Sequence, residues 1–412
     1  MTEGHIQEFQ LDFDAIEEGK FVPPPPIRDD ESGKRLHTFL AAPFQKDGGF
    51  FVESSDHPGL QAMTVFFPQK TPSEKIVVVI DTLTHMNKTD LTPFTLSTLH
   101  LQNQHFHYGR FLLETDIRAT IGFIRTTYQE LSSLSTRREW KDFFSRTQPL
   151  RPLQMSIEDR SKCLATRQVL EPSSSLSFNI IGSNLLPQQT LLPGLNAFDK
   201  VQIWLYQPAQ VDTLLIVCDG QTYVEEYPLW PVLDSAMTKH SPTSSTALML
   251  IEPTASLTRN HFLGDQNYLA DWLVSIGLPW ARTKFEIPPA ERCIIAGGSL
   301  GGLAASQVVR KIPRSISKAI VQSGAFWWFD GAKGEQEGQI LQNWLTDPFP
   351  SGIEIFHEVG KYEGYLMSWN LAFEEILSAQ NVNHTSRIYC GGHDYACWRH
   401  GIIEALSALD NL

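Results

Sequence analysis

The segment that most constrains the fold is Cys293-Ile294-Ile295-Ala296-Gly297-Gly298-Ser299-Leu300-Gly301-Gly302-Leu303-Ala304-Ala305. Its first four residues read as a buried strand and its last three open a helix-compatible stretch. Between them Ser299 stands two residues from Gly297 and two from Gly301, the G-x-S-x-G spacing. A serine on so sharp a strand-to-helix turn takes strained backbone angles, and its neighbours two residues away on either side must be small for strand and helix to meet. Such an elbow needs a sheet whose strands mostly run in parallel.

The second half of the chain supplies one. Apolar runs at residues 201–206, 214–218, 247–251, 293–296, 319–321, 353–356 and 388–390 alternate with helix-compatible stretches such as 303–312 and 371–377, which predicts a mostly parallel sheet covered by helices on both faces. Upstream, short β-rich runs at 63–67, 76–80, 111–114 and 120–124 suit a small β-sandwich. Residues 1–60 read as irregular, with the proline run at 23–26 forming a stiff extended segment. A Ser-rich stretch at 173–177, followed by Pro187 and Pro193, marks a composition change. The expected organisation is therefore an amino-terminal extension and β-sandwich-like domain over 1–170 and an α/β-hydrolase catalytic domain over 171–412. A chain of 412 residues exceeds one ordinary core of ~100–200 residues, which agrees.

Composition excludes several partners. The 33 Lys and Arg against 46 Asp and Glu leave a net charge of −13, which argues against nucleic acid and anionic membrane surfaces. The five cysteines (Cys163, Cys218, Cys293, Cys390, Cys397) include no CxxC pair and no Cys/His ligand spacing, so neither a disulfide framework nor a metal site is indicated, and no cofactor is expected. No run of ~18 apolar residues and no signal-peptide pattern is present, so a cytoplasmic protein is expected.

A serine hydroxyl needs a base to become a nucleophile at neutral pH. In this fold the base lies in a loop after the last strand, and the triad runs Ser, acid, His along the chain. His393, in Gly391-Gly392-His393-Asp394 after the run at 388–390, fits best among thirteen histidines. His384 precedes that run and His400 falls in the closing helix. The acid should follow a strand's carboxyl end. Glu363 is the choice there, with Glu358 expected still in the strand and Asp394, adjoining His393, expected to structure the loop. Oxyanion donors are expected from the N–H of Leu300 and, after the run at 214–218, of Gln221.

Several segments together resemble the enterobactin (enterochelin) esterases, members of the esterase D superfamily. They are Asp219-Gly220 with Trp230-Pro231-Val232-Leu233; the elbow itself; Gln322-Ser323-Gly324-Ala325-Phe326-Trp327-Trp328; and Gly391-Gly392-His393-Asp394 leading to Cys397-Trp398-Arg399. Gly360-Lys361-Tyr362-Glu363 looks like the family's G-x-x-E acid motif, which favours Glu363 over Glu358. The resemblance covers residues ~200–405 well, and the first 170 loosely, through the strand near 63–68 and residues 118–123. It implies hydrolysis of a catecholate siderophore trilactone such as enterobactin, with iron loading, the particular siderophore and the oligomeric state left open. Such a ligand is bulky, aromatic and anionic, so Trp327, Trp328, Trp398 and Arg399 are expected to meet it. Where the family has R-x-x-E-L, this chain has Arg259-Asn260-His261-Phe262-Leu263. Arg259 is therefore expected to lack its acidic partner and to turn towards an anionic ligand, unless the loop is repacked.

Two other readings stand beside this one. A general carboxylesterase or acyltransferase keeps the fold and changes the ester, while a non-catalytic ligand-binding module keeps only the scaffold.

Overall fold

The computed structural model describes residues 26–28, 48–101, 104–150, 168–170, 187–233, 246–328 and 338–409. The proline run, apart from Pro26, and the Ser-rich stretch lie outside them.

The first half forms two antiparallel sheets. Strands β1 (Ile27–Arg28), β2 (Gly49–Ser54), β3 (Leu60–Pro68), β4 (Glu74–Ile80), β5 (Ser97–Leu101), β6 (Gln104–Glu114), β7 (Ala119–Thr127), β8 (Gln148–Pro149) and β9 (Gln168–Leu170) divide between them. One sheet has the order β1-β6-β3-β2 with β5 added on β6, and the other has β4-β7-β8 with β9 added on β7. Both contribute to one core, in which Met63, Val65, Phe67 and Phe111 meet Ile76, Val78, Ile80 and Ile121. Each fully buried side chain of this kind stabilises the fold by roughly 1.5–3 kcal/mol. The same core takes in Cys390, from the far end of the second half.

The second half is one sheet of eight strands: β10 (Gln188–Pro193), β11 (Lys200–Tyr206), β12 (Thr213–Cys218), β13 (Thr246–Pro253), β14 (Cys293–Gly298), β15 (Lys318–Gln322), β16 (Glu354–Gly360) and β17 (Asn383–Tyr389). Their spatial order is β10-β11-β13-β12-β14-β15-β16-β17. The pairs β10/β11 and β11/β13 are antiparallel, and all the others are parallel. Alternate side chains of the buried strands feed opposite faces. Leu214, Ile216 and Ile295 pack with the helix Leu300–Lys311, while Leu215, Val217 and Ile294 pack with the closing helix Tyr395–Leu409. Doubly buried strands read as continuous apolar runs, which is why the central ones stand out in the sequence.

The two outermost strands differ from expectation. β10 lies within the composition change that Pro187 and Pro193 mark, where no strand was expected, and β17 begins five residues earlier than the apolar signal at 388. Both are edge strands with partly exposed side chains. Polar residues, and a proline at a strand end, are tolerated there.

Candidate active site

Order and polarity of the large sheet are those of an α/β-hydrolase, and the turns after its strands converge at one edge. Ser299 is the pivot of the elbow, at φ 58° and ψ −121°, between β14 and the helix Leu300–Lys311. The steric reason for its glycines is explicit. A Cβ on Gly297 would lie 2.4 Å from the Gly301 backbone, and one on Gly298 would lie 2.4 Å from the Trp398 ring. Leu300 is the first residue of that helix, where the backbone N–H has no partner within the helix. Among the described residues the Ser299 side chain makes no hydrogen bond.

Glu363 lies in the turn after β16, and its side chain is completely buried. Its Oε2 stands 2.7 Å from Nδ1 of His393. A carboxylate only accepts, so Nδ1 carries the proton and Nε2 presents its lone pair. The other oxygen, Oε1, accepts from the backbone N–H of Gly360 (2.7 Å), the Ser323 hydroxyl (2.5 Å) and the Tyr389 hydroxyl (3.0 Å). Four donors offset the cost of burying the charge. Glu358 is equally buried, but lies within β16 and points elsewhere. It takes both a fork from Arg387 (2.8 and 2.5 Å) and the Gln322 amide (2.5 Å), and burial raises its pKa.

Trp398 is 2% exposed and packs edge-on to the His393 ring, with centroids 4.8 Å apart at 85°. Its indole N–H donates to the Ser323 hydroxyl at 3.0 Å. The expectation that Trp398 meets a ligand is corrected: its ring is enclosed between the elbow and the histidine. Trp327 and Trp328 are half-buried and lie T-shaped to one another, 5.7 Å apart. Trp328 also donates to the Gly264 carbonyl at 3.3 Å. Arg399 is half-buried on the closing helix.

Two further expectations are corrected. Arg259 does not lack an acid: it grips Asp219 through two hydrogen bonds of 2.5 and 2.7 Å, so its charge is matched within the fold. The N–H of Gln221 already donates to Glu252 at 3.3 Å and is not a free oxyanion donor. Burial and the neighbouring Asp219 charge push the Glu252 carboxyl up to about 7.

Sequence reasoning missed Ser323 as a hub, although its segment was singled out, and missed Tyr389. It also missed Asn370, which holds both Gly324 N (2.7 Å) and Gly324 O (3.0 Å) and is backed by His357 at 3.1 Å. Burial keeps His357 neutral, its pKa lowered to about 4. Asp394 does structure the loop, capping Ala396 N at 2.9 Å.

Together, the sheet and the elbow define an α/β-hydrolase. The Putative esterase family, through its model, matches residues 252–409. In sequence, the chain is 32% identical over 226 residues to the iron(III) enterobactin esterase of Dickeya dadantii, covering 49% of this chain and 50% of that protein. It is 28% identical over 214 residues to the iron(III) enterobactin esterase of Escherichia coli, covering 50% and 52%. The aligned part thus spans about half the length of these curated relatives. In structure, the ferric enterobactin esterase of Salmonella typhimurium superposes with a TM-score of 0.72 at 20% identity, over 90% of this chain and 98% of that one. Over about half its length the chain is similar in sequence to iron(III) enterobactin esterases, and over most of its length it shares the fold of one of them. Among the described residues no helix is long and apolar enough to cross a membrane.

Proposed function

We propose that this protein is a serine esterase that hydrolyses the ester backbone of a catecholate siderophore such as enterobactin, taken as its ferric complex, for iron release in the cytoplasm. The observation that carries the reading is the 2.7 Å contact between the buried Glu363 carboxylate and the half-buried His393, whose ring packs on the Trp398 side chain that abuts the Ser299 elbow. Sequence similarity to proteins named iron(III) enterobactin esterase and iron(III) salmochelin esterase supports the substrate class. The domain division at 170/171 belongs to the same proposal, and no strand pairing among the described residues crosses it.

In this mechanism Nε2 of His393 accepts the Ser299 proton as Oγ attacks the ester carbonyl, and Glu363 stabilises the imidazolium that forms. The N–H of Leu300 donates to the oxyanion. Collapse expels the substrate's alkoxide, protonated by His393, and leaves an acyl-serine that water hydrolyses by the same steps in reverse roles. Trp327, Trp328 and Arg399 are assigned to the catecholate.

The test is product analysis after incubation with the ferric and the iron-free trilactone, with Ser299→Ala as control. Linear hydrolysis products from the wild type, absent with Ser299→Ala, are expected. Turnover of simple aryl esters alone would instead favour the general carboxylesterase, a reading helped by one observation: Arg259 is neutralised by Asp219, which leaves fewer cations for an anionic ligand. Failure of a fluorophosphonate to label Ser299 would favour the non-catalytic module.

A further inference from the structure

The loop bearing His393 is held from the other half of the molecule. Thr82, immediately after β4, has φ 63° and ψ −55°, and Leu83 N donates to Asp81 O across it at 2.8 Å. That is a tight three-residue γ-turn of the strained hand, an outlier for a β-branched residue. Strain of this kind costs on the order of 1–3 kcal/mol and persists only where the surroundings over-determine it. Here the side chain is turned against Gly392: a Cβ built on that glycine would come within 2.2 Å of Thr82 Cβ and Oγ1. The Thr82 hydroxyl is buried and has no hydrogen-bond partner among the described residues, so its own bonding does not explain the turn.

A second contact grips the other side of His393. Thr120, in β7, donates its N–H to Asp394 Oδ2 (2.5 Å) and its hydroxyl to Asp394 Oδ1 (2.8 Å), while its carbonyl accepts from Asp81 N (2.9 Å). One residue therefore ties the strained turn to the residue after the histidine. Close by, Arg118 N donates to Cys390 O at 2.9 Å, and Cys397 Sγ to Arg118 O at 3.1 Å.

We infer that Thr82 and Thr120 are positioning residues for the reaction, a two-point clamp by which the amino-terminal sheets fix the Gly392-His393-Asp394 loop in register with the elbow. Both lie outside the residues matched by the esterase family. The inference rests on His393 being the base, and the test separates the two. Gly392→Ala should drive a methyl into Thr82 and lower kcat on an aryl ester by about 100-fold, the scale of a small misplacement of a reacting group, with little change in KM. Thr82→Gly should lower kcat by about tenfold, again with KM nearly kept, although glycine relieves the backbone strain and should hold or raise Tm. The double variant Gly392→Ala/Thr82→Gly should recover much of what Gly392→Ala loses, because the methyl then has room. Thr82→Ser should retain most activity. An unchanged kcat in Thr82→Gly, or no recovery in the double variant, would overturn the clamp. An active His393→Ala would overturn the reading of the base instead.

Discussion

Glu363 presents one carboxylate oxygen to Nδ1 of His393 and commits the other to three donors, so the histidine meets a carboxylate whose rotation is already fixed. Glu358, five residues earlier, is as buried, yet serves an ion pair with Arg387. The two substitutions should therefore fail differently. Glu363→Gln should lower kcat by roughly 10³- to 10⁴-fold at nearly unchanged Tm, since an amide cannot stabilise the imidazolium and favours the wrong tautomer. Glu358→Gln should leave kcat within about tenfold. It should cost about 1–3 kcal/mol of stability in urea unfolding, tempered because Arg387 is 32% exposed and also pairs with Glu404. The reverse pattern would transfer the acid's role to Glu358.

Ser323 joins Glu363 to the ring packed on His393, donating to Glu363 and accepting from Trp398. It does so at φ 49°, where glycine is the residue least strained. Ser323→Gly removes the hydroxyl without forcing the backbone. It should lower kcat by about 10- to 100-fold while Tm changes little. Ser323→Ala should lose comparable activity and, in addition, stability. Steady-state kinetics with thermal unfolding would show the split; full activity in Ser323→Gly would make the hydroxyl incidental.

The elbow and the pairing of Glu363 with His393 were legible because each is dictated locally. Gly297 and Gly301 meet each other across a single turn, and Glu363 and His393 follow strand ends. What escaped notice depends on partners distant in sequence. Arg259 finds Asp219 forty residues back, so the missing family acid said nothing about its charge. Thr120 meets Asp394 across 274 positions, and no pattern within either half announces it. Tyr389 ends an edge strand whose polar residues mask its length. Trp398 looked like a ligand wall because tryptophans near a catalytic loop serve either purpose, and only burial distinguishes them.

Glu252 gives stability a pH dependence. Its folded pKa of about 7 exceeds the ordinary 4.5, so between those values the unfolded chain releases a proton that the folded chain keeps. Stability therefore falls as pH rises from about 4.5 to 7 and stays lower above, by an amount on the order of 1–3 kcal/mol. Glu252→Gln should remove that contribution. Urea unfolding at pH 5.5 and pH 8 should show a smaller loss on going to pH 8 in the variant than in the wild type. Equal losses would mean that Glu252 titrates normally.

Arg399 is the cation next along the chain from Trp398, on the helix that begins two residues after His393. The proposed reading of the substrate assigns it contact with an anionic iron–catecholate. If it reads that charge, Arg399→Ala should weaken binding of the ferric complex by about 1–3 kcal/mol, roughly 5- to 150-fold in Kd, the range for a charge-assisted contact partly shielded from water. An uncharged aryl ester should lose much less, because it offers no charge for the guanidinium to meet. Raising the salt concentration should narrow the gap between the two ligands in the wild type and change little in the variant. KM and kcat for both substrates, with ligand titration of a Ser299→Ala background to keep the ferric complex intact, would measure this. Equal losses on the two would show that Arg399 holds the helix in place and does not recognise charge, and the specificity for the anionic ligand would then have to come from the aromatic walls of Trp327 and Trp328.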